Sequence, residues 1–196
     1  MQNTESMGSR VKAPEPKDTQ ARVLEAAVRC VERWGMEKVS LGDIAKEAGV
    51  TRPTVYSYYD SRDAVVAAAL LQRGYEFGER MKAHLRGFGG AEERLIEAVV
   101  YALDKLPKEP YLTLITDASL GEIVKSQALT SLEGQKICLE IFQVILEQRE
   151  DLLPELPEII EVTVRLLLSM LMVSGPRRSK AELRAFLKRR LVPAVL

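Results

Sequence analysis

A single histidine in 196 residues, His84, leaves little scope for acid–base or metal chemistry built on imidazole. Only two cysteines occur, Cys30 and Cys138, and no metal or redox spacing links them. Each falls on an apolar helical face, so small buried thiols are expected, as in a reducing cytoplasm. No Gly-rich phosphate loop is present, and no serine or cysteine has a motif-bearing partner. His84 stands at a helix end, where a surface role is expected, and the carboxylates spread along helix faces as solvated charge. Catalysis, metals and cofactors therefore find no support. Long apolar runs are also lacking. The longest, Leu166–Val173, is broken by Ser169 and is too short to span a bilayer. Residues 1–20 are polar and contain Pro14 and Pro16, so no signal peptide is expected there. A cytoplasmic protein with no membrane partner follows. Strand alternation, repeats and low-complexity tracts are absent too, which points to an all-α fold.

Net charge is the last absence: 28 basic residues balance 28 acidic ones. Balance over the whole chain hides local asymmetry. Arg10, Lys12 and Lys17 oppose only Glu15 near the start, and residues 177–190 hold seven basic residues against Glu182. Residues 1–17 read as a flexible basic arm. The basic face of the last helix reads as solvated.

What the sequence does have is helical periodicity. Val23, Ala26, Ala27, Cys30, Val31 and Trp34 share one face of a helix that starts near Asp18 and stops at Gly35. A long helix to about Leu85 carries Val66, Leu70, Gly74, Phe77, Met81 and Leu85. Gly74 and Gly78 weaken it, which predicts close packing or a bend. Further helices are predicted over about 91–106, 111–124, 126–149, 157–174 and 179–192, giving about nine in all. In the 157–174 helix Glu158, Glu161, Arg165 and Ser169 form a narrow polar stripe. The rest is apolar, so this helix must be covered on more than one side.

The most informative stretch is SLGDIAKEAGVTRPTVYSYYDSRDAVV, from Ser40 to Val66. Ser40 can cap a short helix with Asp43 as a capping-box partner, and Ile44, Ala45 and Ala48 give that helix an apolar face. Gly49 can end it in the left-handed conformation. Thr51 can cap a second short helix with Pro53 in its first turn. Val55 faces inward, while Arg52, Thr54, Tyr56, Ser57 and Tyr58 stay available. The pattern is a helix-turn-helix whose second helix is suited to the major groove. Arg52 can fork onto guanine O6 and N7, and Arg62, opening the next helix, suits a phosphate.

This order, an amphipathic helix ending in ERWG, then VSLGDIAKEAGVTRPTVYSYYDSRDAV, then a long helix and several more, resembles the tetracycline-repressor (TetR) family of bacterial transcription regulators. The resemblance is specific over about residues 18–70 and is one of layout beyond. It implies a three-helix DNA-binding domain over 18–64 and a helical ligand-binding and dimerisation domain over 65–196. Carried over by position, it implies that Ser40 contacts phosphate and that Thr51, Arg52, Pro53 and Thr54 open the recognition helix. Tyr56 and Tyr58 would touch the DNA backbone, and Tyr59 would take the place of an inward aromatic. Pro53 stands where the family often has Gly, and Arg62 where Lys is more usual.

Phe77, Met81, Tyr101, Tyr111, Phe142 and Met170 are candidates for lining an apolar ligand cavity, or for core. Leu167 with Leu171, and Leu183 with Leu187, lie four apart on the last two predicted helices and are the candidate dimer interface. The resulting expectation is a homodimeric repressor of double-stranded palindromic operator DNA, released by a small apolar effector. Two other classes stay open. One is an all-α carrier or enzyme for apolar ligands. The other is a DNA-binding interaction module without a ligand.

Overall fold

The computed structural model describes residues 16–35, 37–109 and 131–196. Residues 1–15 of the expected arm and the expected helix over 111–124 with Tyr111 lie outside the described residues, while Pro16 and Lys17 open the first helix. Among the described residues there are helices and turns and no strands. The chain divides into two compact units after Val66, inside a helix, rather than after residue 64.

In the first unit α1 spans Pro16–Trp34, α2 Leu41–Ala48 and α3 Arg52–Tyr56. α1 begins two residues before Asp18, because proline's missing N–H is harmless in a first turn. It packs on α2, and α2 on α3. Val23, Ala26, Ala27, Cys30 and Val31 of α1 are buried, as are Ile44, Ala45 and Ala48 of α2 and Val55 of α3. Burial pushes the Cys30 thiol above its ordinary pKa, with Glu47 and Asp43 adding to the shift. Trp34 departs from the expected stripe. It is exposed, and the Arg33 guanidinium lies 5.4 Å from its ring centroid.

α4, Arg62–Leu85, carries the boundary between the units. The second unit continues with α5 (Ala91–Lys105), α6 (Leu132–Ile145), α7 (Leu156–Met172), α8 (Lys180–Arg190) and the short α9 (Val192–Val195). Residues 106–108 and 150–155 are 3₁₀ turns holding Pro107 and Pro154. α6 is shorter than the periodicity suggests. Ser131 caps it, accepting from the Gly134 N–H at 3.0 Å, and Leu132 is 77% exposed. Cys138 is only partly covered.

Within one chain the helix covered on several sides is α5. Every residue from Arg94 to Val100 is buried, and α6, α7, α8 and α9 all pack on it. Two of those buried residues are charged. Arg94 donates to the carbonyls of Phe88 (2.9 Å) and Val144 (2.7 Å) and to Glu147 (2.7 Å). Glu97 accepts from Arg184 of α8 through both carboxylate oxygens.

The basic face of α8 is therefore not simply solvated. Lys188 meets Glu92 at 2.6 Å, Arg184 meets Glu97, and Lys180 lies 3.5 Å from Asp104. These pairs run in opposite order along α5 and α8, as an antiparallel pair of helices requires. α7 keeps its polar stripe exposed, with Glu161 and Arg165 paired at 2.7 Å. Val162, Met172 and the following Val173 are exposed beside it.

On α4, Gly74 and Gly78 serve close packing. A Cβ at either position would come within 3.3 Å of Ile137 on α6. The two helices meet there because no side chain stands between them.

Candidate nucleic-acid interface

Four local devices hold α2 and α3. Ser40 starts α2 with a capping box: its hydroxyl accepts from the Asp43 N–H at 3.2 Å, and the Asp43 carboxylate accepts from the Ser40 N–H at 3.0 Å. The Ser40 hydroxyl also donates to that carboxylate, at 2.5 Å. These bonds hold the Asp43 carboxyl below its ordinary pKa, and nearby Arg52 adds to the effect. Gly49 ends α2 at φ 66 and ψ 37, the left-handed region that costs a side-chain-bearing residue about 1–2 kcal/mol. Arg22 of α1 then donates to the carbonyl of Ala48 at 2.5 Å, a cation at the negative end of the helix.

Thr51 caps α3, accepting from the Thr54 N–H at 3.3 Å, and its hydroxyl pairs with that of Thr54 at 2.8 Å. The Ser57 hydroxyl donates to the Thr54 carbonyl at 2.7 Å. Val55 is the single inward anchor of this short helix. Thr51, Arg52, Pro53, Tyr56 and Ser57 are exposed, while Ser40, Thr54, Tyr58 and Arg62 are half-buried. Tyr56, at 55% exposure, is a large ring left uncovered. Tyr59 is half-buried rather than core, and its hydroxyl accepts from Gln20 of α1 at 3.1 Å. Arg62 is tied to its surroundings: its Nε donates to Asp63 at 2.8 Å and its Nη1 to the Val39 carbonyl at 3.5 Å.

Gly42, in the first turn of α2, has the Arg52 guanidinium lying across it. The signal was a glycine inside a helix, where propensity alone disfavours it.

The candidate residues of the second unit divide. Phe77, Met81 and Phe142 are buried in one core cluster, with Tyr101 packed at its edge, 5.7 Å from Phe77 between ring centroids. Tyr101 also meets His84, which is exposed at the end of α4 with its ring 4.8 Å away. Met170 is half-buried on α7. The Thr163 hydroxyl, buried on the same helix, has no hydrogen-bond partner among the described residues. Leu167, Leu171 and Leu183 are half-buried. Leu187 is 0% exposed within its own chain and belongs to the core, so it does not present a surface to a second copy. Helical register placed Leu187 with Leu183, but α8 turns that position onto α5.

Among the described residues no group of His, Cys, Asp or Glu could hold a metal ion. No described helix is long and apolar enough to cross a membrane.

A capped, five-residue second helix with polar groups outward and one apolar anchor inward defines a helix-turn-helix protein. The sequence model of bacterial regulatory proteins of the tetR family matches residues 23–69, which take in most of α1, all of α2 and α3 and the start of α4. Over those residues the chain is similar to the DNA-binding region of the tetR family.

It is 29% identical over 126 residues to a helix-turn-helix-type transcriptional regulator of Mycobacterium bovis, covering 63% of this chain and 62% of that protein. The chain thus spans less than two thirds of the curated relatives it first matches, M. tuberculosis regulators among them. The fold is that of the TetR-family repressor AlkX from a Dietzia strain, implicated in biodegradation of n-alkanes (TM-score 0.60, 20% identity, 89% of this chain and 96% of that one). The regulator FadR of Bacillus subtilis, solved with stearoyl-CoA, has it too (TM-score 0.53, 16% identity, 90% and 99%). These relatives and neighbours are transcriptional regulators rather than enzymes.

Proposed function

We propose that the chain is a homodimeric DNA-binding repressor of the cytoplasm, released from a palindromic operator by an apolar effector. The observation that carries the DNA-binding part is the α2–α3 surface: a capped short helix whose outward residues are Thr51, Arg52, Thr54, Tyr56 and Ser57. Hydroxyls and a guanidinium at the start of a recognition helix suit phosphates and base edges. The tetR-family match over residues 23–69 supports the same reading.

The division of labour follows the two units. The first, from the basic arm to α3, holds the DNA. The second binds the effector and a second copy. For the effector, the support is an apolar interior with Phe77, Met81 and Phe142, and the stearoyl-CoA held by a protein of the same fold. For the second copy, it is the half-covered apolar surface of α7 and α8, with Leu167, Leu171 and Leu183 and the exposed Val162 and Met172. The effector would act through α4, the helix that contributes residues to both units.

Selection of bound duplexes from a random pool tests the reading. The expected product is a palindrome whose half-sites lie about one helical turn, ~34–36 Å, apart or a multiple of it. Enrichment of no sequence, with binding unaffected by salt, would remove it. Glutamate at both Leu167 and Leu171 is expected to give monomers in sedimentation and to abolish operator binding. A stable dimer after that change would remove this surface of α7 as the interface.

A further inference from the structure

A Cβ built on Gly42 would lie 2.3 Å from Nη2 of Arg52, 2.8 Å from Nε and 2.9 Å from Cζ. The guanidinium fills the space that any other residue's side chain would take. The backbone does not demand glycine here, since position 42 is in the first turn of α2 and is not among the positive-φ glycines. Helix propensity opposes it. What occupies the space is Arg52, reached ten residues later at the first position of α3. The Asp43 carboxylate, already held by Ser40, lies close enough to feel the guanidinium's charge.

Where the guanidinium rests decides what it can touch. In helix-turn-helix docking the leading helix crosses the DNA backbone, while the start of the recognition helix faces the base edges. Arg52 belongs to the recognition helix by sequence but lays its charge back on the leading one. We infer that Gly42 is a positioning residue, which seats the Arg52 guanidinium on the first turn of α2 so that Arg52 grips a backbone phosphate and not a base edge. This rests on the DNA-binding function proposed above, and it replaces the expected fork onto guanine. A guanidinium can meet two phosphate oxygens at once, so the seat supplies orientation as well as charge.

Gly42→Ala isolates the seat. The evicted atoms are the free end of a flexible side chain and alanine favours the helix, so the variant folds at least as firmly as the parent. The full-length protein, Gly42→Ala, Arg52→Ala and the double variant are titrated at several salt concentrations. The duplexes are the selected one and its single-base-pair substitutions. In the same samples the Arg52 Nε–Hε resonance is followed by NMR without DNA.

Arg52→Ala is expected to weaken every duplex by a common factor, about fivefold to tenfold near 0.1 M salt, and to lower the salt slope by about one. Gly42→Ala is expected to give part of the same uniform loss, to mobilise the Nε–Hε group, and to add nothing once Arg52 is absent. Loss of preference at one base pair in Arg52→Ala, or a Gly42→Ala protein indistinguishable from the parent, would overturn the assignment. Failure of the parent itself to bind DNA would instead remove the DNA-binding reading, while the Nε–Hε signal would still report on the seat.

Discussion

The two units are held together over very different distances along the chain. In the first, the bonds that cap α2 and α3 join residues three apart: Ser40 with Asp43, Thr51 with Thr54, Thr54 with Ser57, while Arg22 reaches the end of α2 from α1. In the second, the buried charges on α5 are satisfied from far away. Arg94 reaches the carbonyl of Val144, fifty residues on, and Arg184 reaches back to Glu97 across eighty-seven. Local rules can specify the first arrangement almost alone. The second exists only once the helices have packed.

This contrast can be tested from the large end. Leu187→Ala removes a fully buried side chain from the core of the second unit. It is expected to cost about 2–5 kcal/mol, the range for such truncations. Urea unfolding followed separately by exposed Tyr56 and by the second unit's aromatics would read it. The loss should fall on the second unit. An unchanged midpoint would place Leu187 outside the core.

Next in size is Arg184→Ala. Arg184 is partly exposed, but Glu97 is buried, and removing Arg184 leaves that carboxylate with His84, at 4.0 Å, as its remaining cationic neighbour among the described residues. The expected cost is about 2 kcal/mol, below the 3–5 typical of a fully buried pair because one partner is wet. Replacing Glu97 by leucine in the same protein should recover much of it. No recovery would mean that Arg184 matters for packing and not for the charge it covers.

Gly49→Ala probes the local regime. Its left-handed φ costs about 1–2 kcal/mol with a side chain, and the new Cβ would meet Arg22 at 3.1 Å. Thermal unfolding should show the loss in the first unit, with the second unchanged. Equal losses in both units would break the separation.

The smallest effect is one of pH. A hydrogen bond from Lys108, with Lys180 and Lys105 adding charge, holds the Asp104 carboxyl at about 2, against an ordinary 3.8. Asp43 is lowered as well, chiefly by Ser40. A carboxyl depressed in the folded state stabilises above its unfolded pKa and loses that contribution as pH falls through the folded one. Neither unit should therefore lose this contribution near neutrality. The second unit should soften from about pH 4 down to about pH 2 as Asp104 titrates, and the first below about pH 4 as Asp43 does, read by circular dichroism. Softening of Asp104→Asn in step with the parent would separate that carboxyl from the acid response.

The same contrast explains what the sequence disclosed. Ser40, Gly49, Thr51 and Val55 could be assigned by spacing, because the groups that satisfy them are neighbours in the chain. The caps and the turn follow from residue type alone. The burial of Leu187 and the exposure of Leu132 lie beyond spacing, because helical periodicity says which residues share a face, not what that face meets. Leu187 turns to α5, and Leu132 opens α6 in solvent. Within one chain the burden of the buried helix falls on α5 and not on the more apolar 157–174 segment. Arg94 and Glu97 make α5 look amphipathic until their partners on other elements are known. Gly42 is marked in the sequence only as a glycine inside a helix; its significance lies in the atoms that occupy its space.

The central claim is that two copies of α2 and α3 read one duplex. Analytical ultracentrifugation of the full-length protein with a labelled selected duplex measures this directly, alongside a duplex carrying a single half-site. The expected result is two chains on the palindrome, or a multiple of two, with affinity that falls steeply as salt rises and is far weaker on the half-site. One chain bound tightly to the unrepeated half-site, or binding indifferent to salt, would contradict it.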